Sequence, residues 1–212
     1  MKSIFHSSLK LLLASSFLIS TNLFAVEVTP LLGYRGGGEF VDTFSGKKHT
    51  VDSSEAYGLI LGWPYEKGKT IEVYYSHQSS DLNSVEITPD STLPALTNSV
   101  DIPLTIDYLH IGGTAPISDE GDIETFVSGG LGFAYLSPDF TGLQSDLRAS
   151  FSIGIGLKWP ISERIALRLE TRGLATLFNS NSALFCNGGC SLSVNGSLFW
   201  QGEVFAGLAI KF

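Results

Sequence analysis

Methionine occurs once in the 212 residues, cysteine twice, and charged side chains make up only 16% of the chain. So little charge excludes a solvated helical rod, and with 43% of residues apolar the chain is too hydrophobic to stay disordered. Basic residues are the scarcer sign: 13 Lys and Arg stand against 21 Asp and Glu, a formal charge of −8. No cationic surface is available to neutralise a phosphate backbone, so nucleic acid is excluded as a partner. Also missing after residue 25 is any apolar run of the ~20 residues that a membrane-crossing helix needs. The long uncharged stretch from Gly173 to Gly202 is broken throughout by Asn, Ser and Gly. What the chain does have is glycine and aromatics, with 23 Gly, 14 Phe and 7 Tyr, which points to strands and tight turns. One folding unit is expected at this length.

The first 25 residues stand apart. Lys2 and Lys10 precede an uncharged apolar run, Leu11 to Ser20, followed by Asn22-Leu23-Phe24-Ala25. This is the pattern of a secretory signal, with cleavage expected after Ala25. The run is about half the length a spanning helix needs, so a signal rather than an anchor is expected. Its removal takes away two lysines and leaves residues 26–212 more acidic still.

In residues 26–212 large apolar side chains recur at every second position, the spacing of a pleated strand. Phe151-Ser152-Ile153-Gly154-Ile155-Gly156-Leu157-Lys158-Trp159 shows one large apolar face and one face of Ser, Gly and Lys. In the next segment Ile165, Leu167 and Leu169 share one parity and Arg168, Glu170 and Arg172 the other. Eight such segments are expected, near 27–36, 55–63, 70–79, 103–114, 123–136, 148–159, 164–177 and 198–212. The connections alternate between long (37–54, 80–102, 137–147, 178–197) and short (64–69, 115–122, 160–163). This is the asymmetry of a membrane barrel with tight turns on one side and long loops on the other. Pro64, Pro116 and Pro160 each stand where a strand enters a short turn.

Parity also separates a lipid face from a bore. Small residues beside charges suit a narrow interior crossed by ion pairs, and the candidates for it are Arg35, Glu72, Asp107, Glu124, Lys158, Arg168, Glu170, Arg172, Glu203 and Lys211. The other parity carries no charge in the strand centres, as hydrocarbon requires. Trp63 and Trp159 fall on it at the short-turn ends, and Tyr57, Tyr135 and Trp200 at the long-loop ends, giving two interfacial aromatic girdles. The last strand ends in Val204, Leu208, Ile210 and Phe212 on a single face.

That ending looks like the C-terminal signal read by the barrel assembly machinery. Together with Val28-Thr29-Pro30-Leu31-Leu32-Gly33-Tyr34-Arg35 and Gly129-Gly130-Leu131-Gly132-Phe133, it makes the chain resemble the small eight-stranded outer-membrane proteins of Gram-negative bacteria, the OmpA/OmpX-like barrels. The resemblance covers essentially all of residues 26–212. It implies an eight-stranded antiparallel transmembrane β-barrel in the outer membrane, with both termini periplasmic. The surroundings it implies are outer-membrane lipid and lipopolysaccharide, and the assembly machinery is an implied partner. The larger OmpA proteins carry a peptidoglycan-binding domain after the barrel; this sequence ends where that domain would begin, so no cell-wall tether is expected.

Three further features have a chemical reading. Cys186 and Cys190, in Cys186-Asn187-Gly188-Gly189-Cys190 of the last long loop, are expected to form a disulfide, since two thiols alone are too few ligands for zinc. Gly36-Gly37-Gly38 opens no helix and is not a phosphate loop. His77 and Ser79 lie on the apolar parity, and outer-membrane lipid A deacylases, which resemble this barrel, use a His-x-Ser pair with a Glu. The flanking residues do not complete that pattern, and that family carries its pair near the C-terminus. The expectation is therefore a structural or surface-interaction protein without enzymatic activity or cofactor. Its bore would be closed by ion pairs and its polar loops open to an extracellular protein ligand. A narrow solute channel is the first alternative, and a lipid-modifying hydrolase at His77 and Ser79 the second.

Overall fold

A computed structural model describes residues 26–41, 48–85, 100–118, 123–141, 143–178, 182–183, 193–194 and 198–212. The expected signal at 1–25, and Cys186 and Cys190, lie outside these residues.

The alternation of the sequence becomes a closed sheet. Its strands are β1 (Glu27–Gly36), β4 (Ser54–Pro64), β5 (Thr70–Val85), β6 (Val100–Ser118), β7 (Glu124–Pro138), β8 (Asp146–Pro160), β9 (Ile165–Leu177) and β12 (Leu198–Lys211). Each pairs antiparallel with its neighbour in the chain, and β1 closes the barrel against β12 through Glu27↔Lys211, Leu31↔Gly207 and Arg35↔Glu203. The first and last strands thus meet at the end that carries the short turns. Closure leaves no unpaired edge, the condition for a sheet to live in hydrocarbon.

Two short hairpins stand at the opposite, outer end: β2 (Glu39–Val41) with β3 (Lys48–Thr50), and β10 (Ser182–Ala183) with β11 (Ser193–Val194). The first is tied down by Val51 N–H donating to the Gly38 carbonyl at 3.0 Å and Asp52 N–H to the Asp81 carbonyl at 2.9 Å. Gly38 has φ +107°, and a Cβ built there would lie 2.5 Å from the Phe199 ring, so the chain turns inward at this point only because the residue is glycine. The turn delivers Phe40 into the barrel. Its ring stacks on Phe199 at 4.5 Å and meets the edge of Phe178 at 5.6 Å.

The expected segments at 70–79 and 103–114 are longer in the structure. They rise together past the barrel rim, pairing Asp81↔Pro103, Leu82↔Ile102 and Val85↔Val100, with an irregularity between Leu82 and Val85. Their outward residues there are polar and look like loop in the sequence. Leu82, Ile102 and Leu104 nevertheless point inward and are buried in the apolar cluster around Phe40, which supports the extension.

The outward parity is apolar around the belt. Leu32, Ile111, Leu131, Ile153, Trp159 and Val204 are each more than half exposed. A water-soluble protein does not leave an apolar band of this extent uncovered, and a bilayer covers it.

Candidate functional site

Bore residues fall into three layers, each set by strand parity. At the short-turn end Lys158 donates to Glu27 at 2.7 Å and lies 5.9 Å above the Phe126 ring. A cavity opens beside this pair, lined in part by Tyr65, Glu124, Lys158 and Lys211. Lys211 is exposed and Glu124 half-buried, so these two expected bore residues stand at a solvent-reached mouth rather than in the closed interior.

The middle layer is a four-membered charge cluster. Arg168 forks onto Glu72 at 2.7 and 3.1 Å and onto Glu170 at 2.7 and 3.0 Å. Arg172 reaches Glu170 at 2.6 and 3.0 Å, and the Ser128 hydroxyl donates to Glu170 at 2.5 Å. Both guanidiniums also lie on aromatic faces, Arg168 at 4.7 Å from Phe126 and Arg172 at 4.1 Å from Tyr74. Gly156 permits this, because a Cβ there would sit 2.3 Å from the Phe126 ring that supports Arg168. Above it, Arg35 donates to Glu203 at 2.9 Å, Tyr74 donates its hydroxyl to the same carboxylate, and Arg35 covers the Tyr108 ring at 4.9 Å. His110 bridges Ser150 and Ser152 at 2.7 and 3.0 Å.

The upper layer changes from charged to neutral. Tyr108 donates to Gln201 at 3.0 Å, and Gln201 in turn donates to Gln78 at 3.3 Å. Beyond them come Phe199 on β12 and Phe178 just past the end of β9, then Phe40 from the hairpin. Four cations, Arg35, Lys158, Arg168 and Arg172, thus meet four anions, Glu27, Glu72, Glu170 and Glu203, all of them buried. Glu27 is absent from the sequence-based set, although it shares the parity of Thr29, Leu31 and Arg35 and could have been found by that signal. The apolar outer layer is also absent from it, since Phe, Leu and Ile on the bore parity look like lipid-facing residues.

Asp107 is a correction. It stands outside the bore, between outward-facing Thr105 and Leu109, while Ile106 and Tyr108 fill the inside. Both parities of β6 are apolar along much of its length, so the single charge offered no guide to the face. On the outer wall Asp107 accepts from the Tyr75 hydroxyl at 2.8 Å and pairs with His77 Nδ1 at 2.8 Å. His77 Nε2 lies 3.3 Å from Ser79 Oγ, and the Tyr57 ring tilts against the imidazole at 4.7 Å. In register this makes one row across four strands, Tyr57↔His77↔Asp107↔Tyr135.

Tyr57, Tyr135, Trp159 and Trp200 all face outward, Trp63 is half-buried at the short-turn end of β4, and Trp200 meets the edge of Phe151 at 5.8 Å. Val204, Leu208 and Ile210 share the outer face of β12, and Phe212, just past its end, is exposed on the same parity and donates its N–H to the Val26 carbonyl at 3.1 Å.

A closed eight-stranded antiparallel sheet with a charged bore and an apolar belt defines the class of small outer-membrane β-barrels. No family profile and no curated protein matches the sequence. Solved structures do match the fold. Neisserial surface protein A superimposes with a TM-score of 0.57 at 11% identity, over 88% of this chain and 97% of that one. The outer membrane protein OprG from Pseudomonas aeruginosa gives 0.52 at 14% identity, over 89% and 95%. The chain therefore has the fold of the small eight-stranded outer-membrane barrels, and its surface places it in the outer membrane.

Proposed function

We propose that the protein is a closed outer-membrane barrel with a structural and surface-interaction role: a rigid cylinder that holds its four long connections on the outside of the cell. The observation that carries this reading is the filling of the bore. Each buried charge touches an opposite charge, and the layer above is aromatic and aliphatic. A water column would have to break the first and wet the second, at a cost of several kcal/mol per uncompensated ion. The loops then supply the contact with an extracellular protein ligand, and the apolar belt the contact with lipid and lipopolysaccharide.

In this reading residues 1–25 are the export signal and 26–212 the barrel. The strip Val204, Leu208, Ile210 and Phe212 is what the assembly machinery receives, and a Cys186–Cys190 disulfide ties the tip of the last loop. No cofactor and no chemistry is assigned to the bore. Planar-bilayer recording of the purified protein tests the closed state. Silent bilayers are expected; steady, reproducible unitary steps would instead establish the narrow-channel alternative.

A further inference from the structure

The row on the outer wall of β5 and β6 takes no part in filling the bore. It holds a serine, an imidazole and a carboxylate in linear sequence: Ser79 Oγ at 3.3 Å from His77 Nε2, and His77 Nδ1 at 2.8 Å from Asp107. This is the order that activates a hydroxyl. The carboxylate fixes the ring with a proton on Nδ1, which leaves Nε2 free to take the serine proton. Tyr75 donates to the same carboxylate oxygen and Tyr57 packs on the ring, so both orienting groups are themselves held. Ser79 is exposed, and Thr105, its register partner, presents a second hydroxyl on the same face.

The depth of the row says what it would meet. Below it the outward residues are Ile71, Val73 and Tyr75 on β5, Leu109 and Ile111 on β6, and Leu59 and Leu61 on β4. Above His77 and Asp107 they are Ser79, Asp81, Thr105 and Glu55. His77 and Asp107 are the first polar groups above the hydrocarbon belt, level with Tyr57 and Tyr135. In a bilayer this boundary is where ester carbonyls join acyl chains to polar headgroups.

We propose that Ser79, His77 and Asp107 form a catalytic apparatus on the lipid-facing wall that hydrolyses carboxylic ester bonds of acylated lipids in the outer leaflet. This goes beyond the closed-barrel reading and replaces the sequence-based expectation of no activity. Ser79 Oγ attacks the ester carbonyl while its proton passes to His77 Nε2. The tetrahedral adduct collapses, and the leaving alkoxide takes that proton and departs as an alcohol. Water, deprotonated by His77, then attacks the acyl-serine, releasing a fatty acid and restoring the serine hydroxyl. Ser79 and His77 touch the reacting atoms; Asp107 is a positioning residue.

Full-length protein, folded in detergent and checked by its heat-modifiable migration on gels, is incubated with diacyl phospholipid vesicles and, separately, with lipopolysaccharide. Free fatty acid is measured by mass spectrometry. Release is expected from at least one, and which lipid loses a chain identifies the source of the ester. Ser79→Ala and His77→Asn are expected to keep the folded migration and lose release by at least about a hundredfold. Asp107→Asn should lose roughly as much, and Asp107→Glu should recover part of it, a rescue that a purely structural role does not require. No release from either lipid, or release unchanged in Ser79→Ala, overturns the proposal.

Discussion

Glu170 receives Ser128, Arg168 and Arg172 on its two oxygens, while both guanidiniums also lean toward Glu72, one of them at 4.0 Å. Because its members are buried, the cluster is stable only as a whole, since removing one anion leaves two buried cations with a single carboxylate between them. Glu170→Ala is expected to cost about 3–5 kcal/mol, read as a lower urea midpoint for conversion of the folded to the unfolded gel band. Replacing Arg168 and Glu72 together by Met should cost much less than either single change, because no unpaired charge is left behind. A double change as damaging as the sum of the singles would show that the ions are not coupled. On the outer wall Ile153→Arg, at a position 65% exposed to lipid, should cost about 2–4 kcal/mol in the same assay.

The strands differ in how openly their sequences show their roles. In β8 and β9 one face is large and apolar and the other small or charged, so face and register direction are both legible. In β6 Leu104, Ile106 and Tyr108 point in while Leu109 and Ile111 point out. With both faces apolar, parity carries no information, and Asp107 was assignable only once β5 and β7 were seen beside it. The ion-pair partners were equally hidden. Arg168 and Glu72 are 96 residues apart, and only closure of the barrel brings them together. The hairpin β2–β3 shows the same limit, since Phe40 in a loop-like context gives no sign that it fills the outer end of the bore. Its anchoring is testable: Phe40→Ala should expose residues 37–53 to protease while the barrel stays protected, whereas an unchanged digestion pattern would mean that the ring does not hold the hairpin.

Taken together, the barrel is an inverted globule, with ions inside and hydrocarbon-compatible side chains outside, and each strand alternates between the two environments residue by residue. A spin label placed singly at every position from 150 to 159 of β8, in protein reconstituted into lipid vesicles, reads this alternation directly. Collision with oxygen, which concentrates in the acyl region, should peak at 151, 153, 155, 157 and 159 and fall at the even positions. The polar relaxant should reach neither set in the strand centre. Oxygen peaks at the even positions, or free access of the polar relaxant to 152, 154 and 156, would contradict both the assignment of faces and the closed bore.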